Sequence, residues 1–388
     1  MSLRVAIVTE SFLPQLNGVT NSVLRVCDTL HEQGHEAIII APSNGIADLT
    51  LDREYRGFRI IRVPALPFRQ FPVAMPSPFL SRILTQFGPD VMHVASPFVL
   101  GGAAIGVARR LQIPTVAIYQ TDLAGYSDRY GVPFVRAVAD RLVANIHGNA
   151  DINLAPTPES AMYLGSLGVD NVSIWGRGVD ISRFHPNLKS SPETVALRKE
   201  LLRGRRHLVG YVGRLAPEKQ VHRFSELADM RDTSFVIVGD GAERSRLERE
   251  LPSSTFTFLG ARSGDDLARA YAAMDVFVHF GAEETFGQTL QEAQAAGVPV
   301  VSPDAGGPKY LIDNGETGFL VDPHDRHITR RAVRFLLRDD ALRARMGESG
   351  RRKMLTRTWE ANNQRLLEHY RVAIRQSSRS SQRFDELV

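Results

Sequence analysis

Short apolar runs alternate with longer amphipathic stretches along this chain. Arg4–Thr9 (RVAIVT) predicts a buried strand, Glu10–Thr20 a polar loop with Pro14 and Gly18, and Asn21–Gln33 a helix. Gly34 ends that helix, and Glu36–Ala41 (EAIIIA) is the next strand. Asp90–Val94 and Thr115–Tyr119 repeat the strand pattern on either side of a helical stretch, Gly101–Leu111. Alternation at this spacing predicts a parallel sheet covered on both faces. A second pass begins near His207 with HLVGYVG and a helix expected from about Val221. It continues through a strand at Ser234–Gly239, a helix at Ala242–Glu250, and strands at Phe256–Leu259, Asp275–Phe280, Val298–Val301 and Phe319–Val321. Gly176–Ser191 has no regular period and reads as the junction. The expected fold class is α/β, with two doubly wound domains, residues 1–180 and 181–358, facing across a cleft lined by strand C-termini. From Ala332 the chain is helical and arginine-rich. Residues 359–388 are expected to form a helix from Trp359 to Ile374 that packs back on the first domain, with a frayed polar tail after Gln376.

Composition agrees with two domains, since 388 residues exceed the ~250–300 at which single cores stop growing. No stretch approaches the ~18 apolar residues of a membrane helix, and the mean hydropathy is −0.16. The apolar run Val5–Val8 meets Thr9 and Glu10 directly, unlike a secretory leader. A single cysteine, Cys27, excludes an internal disulfide framework and any multi-cysteine metal site. The expected compartment is the cytoplasm. Charge is 47 − 43 = +4 with a pI near 9.3, almost all of it arginine. That balance fits an anionic ligand, an anionic membrane surface or a plain compositional preference for arginine, and does not choose among them. Basic clusters with stacking aromatics at a nucleic-acid module's spacing are absent, so no nucleic-acid partner is expected.

Some strings invite chemistry that their context refuses. His31-Glu32-Gln33-Gly34-His35 matches a zinc-protease motif, but Gly34 stops the helix that would have to carry both histidines. Gly239-Asp240-Gly241 begins like a dinucleotide fingerprint, yet Arg244 stands where the third glycine belongs. The strongest positive signal is GAEETFGQTLQEAQAAGVPVV, Gly281–Val301, which follows an apolar strand and opens a helix near Gly287. Glu284 precedes that helix and Glu292 lies in its second turn. Ionised carboxylates so placed accept hydrogen bonds from hydroxyls at two points of an extended ligand. The N–H groups of Phe286, Gly287, Gln288 and Thr289 are expected to be unpaired at a helix N-terminus, a setting that favours phosphate. Gly213–Lys219 (GRLAPEK) supplies Arg214, a two-pronged phosphate ligand, and Lys219, a point charge. Both elements follow strands of the same half and can converge on one diphosphate.

Together with VGDGAER (Val238–Arg244), GVDISRFHP (Gly178–Pro186) and DAGGPKYLIDNGETGFLV (Asp304–Val321), these motifs resemble glycosyltransferase family 4, the retaining, nucleotide-sugar-dependent enzymes of the GT-B fold, which implies an acceptor-binding Rossmann-like domain at 1–180 and a nucleotide-sugar-binding one at 181–358. The opening RVAIVTESFLPQLNGVTNSV looks most like GDP-mannose-dependent α-mannosyltransferases of actinobacterial glycolipid and lipoglycan synthesis, and is also similar to UDP-sugar-dependent sulfoquinovosyl lipid synthases. The resemblance implies catalytic roles for Arg214, Lys219 and Glu284. Arg214 and Lys219 would bind the donor diphosphate, Glu284 the donor sugar and Glu292 the ribose. Phe286, Gly287, Gln288 and Thr289 would contact sugar and phosphate, Gly18 would let the backbone approach the phosphate and acceptor, and Arg262 would lie by the base. Gly306 and Gly307 look structural. Many members carry His where Gln120 stands, and Gln cannot exchange a proton at neutral pH. Asp122 is the nearest carboxylate, or else a helix cap.

The family further implies front-face displacement, in which the leaving phosphate helps deprotonate the acceptor. No metal ligand and no obligatory cofactor are expected; Mg2+ would not be held by the protein. The expected partners are a nucleotide-sugar donor, a lipid or glycolipid acceptor and an anionic membrane surface bound peripherally. Tyr55–Leu80 mixes Phe58, Phe68, Phe71 and Phe79 with Arg56, Arg59, Arg62 and Arg69, which suits such a surface. A strand at Phe58–Val63 followed by an irregular loop with its rings turned inward would account for it equally.

Overall fold

The structure is a computed structural model that describes residues 2–15, 17–43, 45, 48, 50–68, 71–74, 79–96, 98–120, 133–284 and 286–385. Asp122 and part of the arginine- and phenylalanine-rich stretch lie outside these residues. The chain divides into two compact units, Met1–Gly176 with Glu360–Val388, and Arg177–Trp359.

In the first unit, β1 (Arg4–Val8) and β2 (Glu36–Pro42) are apolar runs buried on both faces, which is why they join the middle of a parallel sheet. Between them the helix Gly18–Glu32 begins ahead of Asn21, because the Asn17 side chain accepts the N–H groups of Val19 and Thr20 at 3.0 Å. Gly34, at φ +70°, ends the helix. His35 instead turns its Nδ1 to the Leu3 N–H at 3.2 Å, so the two histidines do not share a helix face.

Next come β3 (Glu54–Tyr55), β4 (Phe58–Val63) and a hairpin, β5 (Ala65–Phe68) with β6 (Phe71–Ala74). The proline-rich stretch is therefore partly an antiparallel ladder, with Phe68 opposite Phe71, rather than an irregular loop. β7 (Val91–Val94), β8 (Thr115–Ile118), β9 (Ile152–Ala155) and β10 (Val172–Ile174) complete a sheet of order β10-β9-β8-β7-β1-β2-β4-β3.

The helix Trp359–Asp385 belongs to this unit's core. Leu366, Leu367, Tyr370 and Ala373 are buried with Val23, Val26 and Leu30; a leucine so buried contributes about 1.5–3 kcal/mol. Tyr370 also hydrogen-bonds His93 Nδ1, and Trp175 Nε1 donates to the Asn362 carbonyl at 2.9 Å. The helix runs past Gln376, where a frayed tail was expected, as far as Asp385.

The second unit has β11 (His207–Val212), β12 (Thr233–Val238), β13 (Phe256–Gly260), β14 (Val276–Val278), β15 (Val300–Pro303) and β16 (Gly318–Val321), all parallel, in the order β13-β12-β11-β14-β15-β16. After β11 the chain makes 3-10 turns, Pro217–Lys219 and Val221–Leu227, in place of the expected α-helix. Gln220, at φ 50° between them, interrupts any regular helix. The division between units falls at Gly176 and Arg177, slightly ahead of 180/181. The reason is local: the amides of Gln291 and Gln288 hold the carbonyls of Arg177 and Gly178 at 3.0 and 3.1 Å. The order of the parallel strands reverses between β1 and β7 in the first sheet, whose edge is the antiparallel β3–β4 pair, and between β11 and β14 in the second. Doubly wound sheets bind ligands outside the carboxyl ends at such a reversal.

Candidate active site

The reversal between β11 and β14 gathers the sequence-predicted charges of the second unit. The loop after β11 carries Arg214 and Lys219, and the loop after β14 carries Glu284. Lys219 Nζ meets Glu284 Oε2 at 2.6 Å, with both side chains mostly buried. The other carboxylate oxygen folds back to accept the N–H groups of Gly287 at 3.1 Å and Phe286 at 3.4 Å. These two donors are therefore not unpaired, as the sequence suggested: the nearest carboxylate has taken them. Gly287, at φ +95°, is the left-handed cap from which the helix Gln288–Ala295 starts, a conformation that costs a side-chain-bearing residue about 1 kcal/mol or more.

The electrostatics follow from these contacts. Burial by itself raises the Glu284 carboxyl. The Lys219 ammonium, the more distant His279 and the Phe286 N–H outweigh it and hold the group at about 2, so Glu284 is ionised at neutral pH. His279 is fully buried with its Nε2 3.9 Å from Glu284 Oε2, and neither ring nitrogen has a partner at hydrogen-bond geometry among the described residues. Burial pushes His279 down to about 4, so the ring is neutral, stacked on Tyr211 with centroids 6.2 Å apart.

Arg177 adds a second cation that sequence reasoning missed. Its guanidinium lies over the Phe286 ring at 5.9 Å, and its Nε is sealed from solvent without a partner. Burial lowers its pKa and the nearby Glu284 opposes that shift. It sits in the stretch that the sequence presents as linker, and His279 sits inside an apolar run that looks like core; only the tertiary structure turns both toward Glu284.

The remaining predicted residues are placed as follows. Arg214 is largely exposed and bonds Glu218 at 2.5 Å, leaving most of its fork open to solvent. Glu292 accepts the Tyr271 hydroxyl at 2.9 Å. Gln288 spends its amide on the Gly178 carbonyl, and Thr289 is half-buried in the first turn beside it. Arg262 is exposed after the edge strand β13, two strands and so about 10 Å from β11. Gly18 is exposed at the first position of its helix, in the first unit. Gly306 and Gly307 touch the Glu284 loop directly. Gly307 donates its N–H to the Glu284 carbonyl at 2.7 Å, and a Cβ on Gly306 would stand 2.5 Å from that same oxygen.

Chemically, the site offers a fixed carboxylate for hydroxyls and cations for an anion within one half-buried region. Because Glu284 is held well below its ordinary 4.5, its ionised form contributes stability that is complete above pH 4.5 and is lost as pH falls toward 2. The urea midpoint of the wild type relative to Glu284→Gln is expected to decline steadily between pH 5 and pH 3; a difference independent of pH would refute the pairing.

Comparisons with known proteins bear on the family and the fold. A model described as Glycosyltransferase Family 4 matches residues 16–183, and one described as Glycosyl transferases group 1 matches residues 194–353. The chain is 44% identical over 382 residues to the GDP-mannose-dependent alpha-mannosyltransferase of Corynebacterium glutamicum, covering 97% of this chain and 91% of that protein. It is 28% identical to the sulfoquinovosyl transferase SQD2 of Arabidopsis thaliana, over 96% of this chain and 74% of that one. The crystal structure of Anabaena HepE in complex with UDP and glucose superposes with a TM-score of 0.76 at 19% identity, covering 95% of this chain and 99% of that one, which shows the shared GT-B fold. The two family models, one on each half, and a relative so similar along nearly the whole chain establish that this protein is a glycosyltransferase of family 4.

Proposed function

We propose that the protein transfers mannose from GDP-mannose, with retention, to a lipid or glycolipid acceptor at a membrane surface. The observation that carries the donor side is the Lys219–Glu284 pair at the strand reversal, read beside the 44% identity to GDP-mannose-dependent relatives. Glu284 holds hydroxyls of the mannose and Glu292 those of the ribose. Arg214 releases Glu218 to grip the diphosphate, and Lys219 shares its charge between Glu284 and the phosphate. In the step itself, the bond from C1 to the phosphate oxygen breaks as the bond from C1 to the acceptor oxygen forms. The acceptor's proton passes to the departing phosphate on the same face. Arg214 and Lys219 stabilise the charge that grows on that phosphate, an effect of about 3–4 kcal/mol for one well-placed donor. We assign this work to side chains rather than to a cation held by protein ligands.

Leu66 and Phe79 are among the exposed large apolar residues, and Arg56 and Arg59 are exposed nearby in sequence. Among the described residues, no helix is long and apolar enough to cross a membrane. Peripheral attachment through this stretch fits both facts.

Two measurements test the proposal. Calorimetric titration should show GDP bound in preference to UDP and ADP, and the Arg214→Ala/Lys219→Ala double variant should lose GDP affinity by at least a hundredfold and lose turnover, with a lowered urea midpoint but an unchanged far-UV circular dichroism spectrum at 25 °C. A preference for UDP would move the enzyme to a glucosyl or sulfoquinovosyl donor, and unchanged turnover in the double variant would remove both residues from catalysis. In liposome sedimentation, the protein should pellet with anionic vesicles and less so at high salt. Failure to bind either anionic or neutral vesicles would eliminate the membrane surface.

A further inference from the structure

His279 is the first residue beyond β14, between Val278 and Phe280, and is 2% exposed. No step of the proposed transfer uses it, yet its surroundings tie it to every charge that does. Its Nε2 lies 3.9 Å from Glu284 Oε2. A Cβ on Gly281 would stand 3.2 Å from that nitrogen, 2.9 Å from the Glu218 carbonyl oxygen and 3.2 Å from Lys219 Cα. Gly281 is thus wedged between the ring and the backbone of the loop after β11. The ring also stacks on Tyr211, 13° from parallel, and the Tyr211 hydroxyl donates to the Arg214 carbonyl at 3.1 Å.

As a core filler the ring is a poor choice. Val278 and Phe280 beside it are apolar and buried, and leucine would occupy the position with no polar atom to desolvate. Instead both ring nitrogens are sealed from solvent and unpaired among the described residues; the Gly281 backbone is near, but off hydrogen-bond geometry. A neutral imidazole carries one N–H. Carried on Nε2, it stands about 1 Å short of a hydrogen bond to Glu284 Oε2, an oxygen that Lys219 Nζ holds at 2.6 Å.

We propose that His279 is a positioning residue for the transfer: its Nε2–H is held in reserve and closes on Glu284 Oε2 when Lys219 turns to a phosphate anion. The carboxylate then keeps its orientation, with two backbone donors on Oε1 and the imidazole on Oε2, while the ammonium is drawn toward the anion. A neutral donor suits the task, because it leaves the charge of Lys219 to the phosphate. The inference rests on the reading that Lys219 meets the donor's diphosphate and Glu284 its sugar. Were His279 only packing against Tyr211, leucine would serve as well.

Proton–nitrogen NMR of the full chain, labelled in its 11 histidines, follows the ring itself, its signals identified by their absence in His279→Gln. In the free protein the ring should be the neutral Nε2–H tautomer, and saturating GDP (or UDP, whichever binds) should move that proton downfield as the bond closes. Calorimetry gives a second readout. His279→Leu should bind the nucleoside diphosphate within threefold of the wild type and melt no lower, yet lose at least fivefold of the additional affinity that the sugar gives the sugar nucleotide. His279→Gln, which keeps an N–H donor, should recover most of that loss. An Nδ1–H tautomer, a ring proton that the nucleotide leaves unmoved, or wild-type affinity for the sugar nucleotide in His279→Leu would each overturn the proposal. Should His279→Leu not fold, the wild-type spectra decide. If the nucleotide binds and the ring does not respond, the role of His279 fails alone; if the wild type binds none of GDP, UDP and ADP, the donor reading fails and takes His279 with it.

Discussion

One ion pair governs the second unit. Lys219 and Glu284 come from loops that follow neighbouring strands at a point where the connections run off in opposite directions, and the two loops pack so closely that a Cβ on Gly281 would stand 2.9 Å from the Glu218 carbonyl oxygen. Withdrawing two charges from water is costly, and their attraction repays it only when the geometry is tight and the remaining lone pairs are satisfied. Here the spacing is 2.6 Å and the second carboxylate oxygen has two backbone donors. Breaking either side would leave the other charge buried and alone. The neutral His279 and the partly buried guanidinium of Arg177 adjust the same balance, while Glu218 in the neighbouring loop is taken up by Arg214.

How much of this was legible in the sequence depends on how local the cause is. Both sheets were, because strands buried on two faces must be apolar throughout: EAIIIA and SFVIVG can hardly be anything else. Arg214, Lys219 and Glu284 stand out in the sequence as charged residues that follow such strands, and their placement in the loops after β11 and β14 was legible there. The direction of each side chain was not. Whether Glu284 reaches for a ligand or folds onto Phe286 and Gly287 depends on the left-handed turn at Gly287, and no periodicity announces that. His279 and Arg177 were hidden by their surroundings, one in an apolar run and the other in an aperiodic junction. Glu10 looked like an ordinary loop residue; the N–H that its carboxylate accepts is that of Gly101, ninety-one positions away in the chain.

Helix and turn boundaries missed for simpler reasons. Asn17 starts its helix early by capping it, and Gln220 breaks the turn after β11 by its backbone angle. Each is one residue overriding a pattern that spans ten.

The final helix gives the two units different histories. Residues 177–359 form one continuous stretch, so the second unit has all of its core once Trp359 has been synthesised. The first unit does not: Val23, Val26 and Leu30 wait for Leu366, Leu367, Tyr370 and Ala373, which leave the ribosome after the entire second unit. A chain usually completes its domains from the N-terminus onward. In this protein the domain that begins first is finished after the second, and an apolar face of the nascent chain stays uncovered until Ala373 has been synthesised.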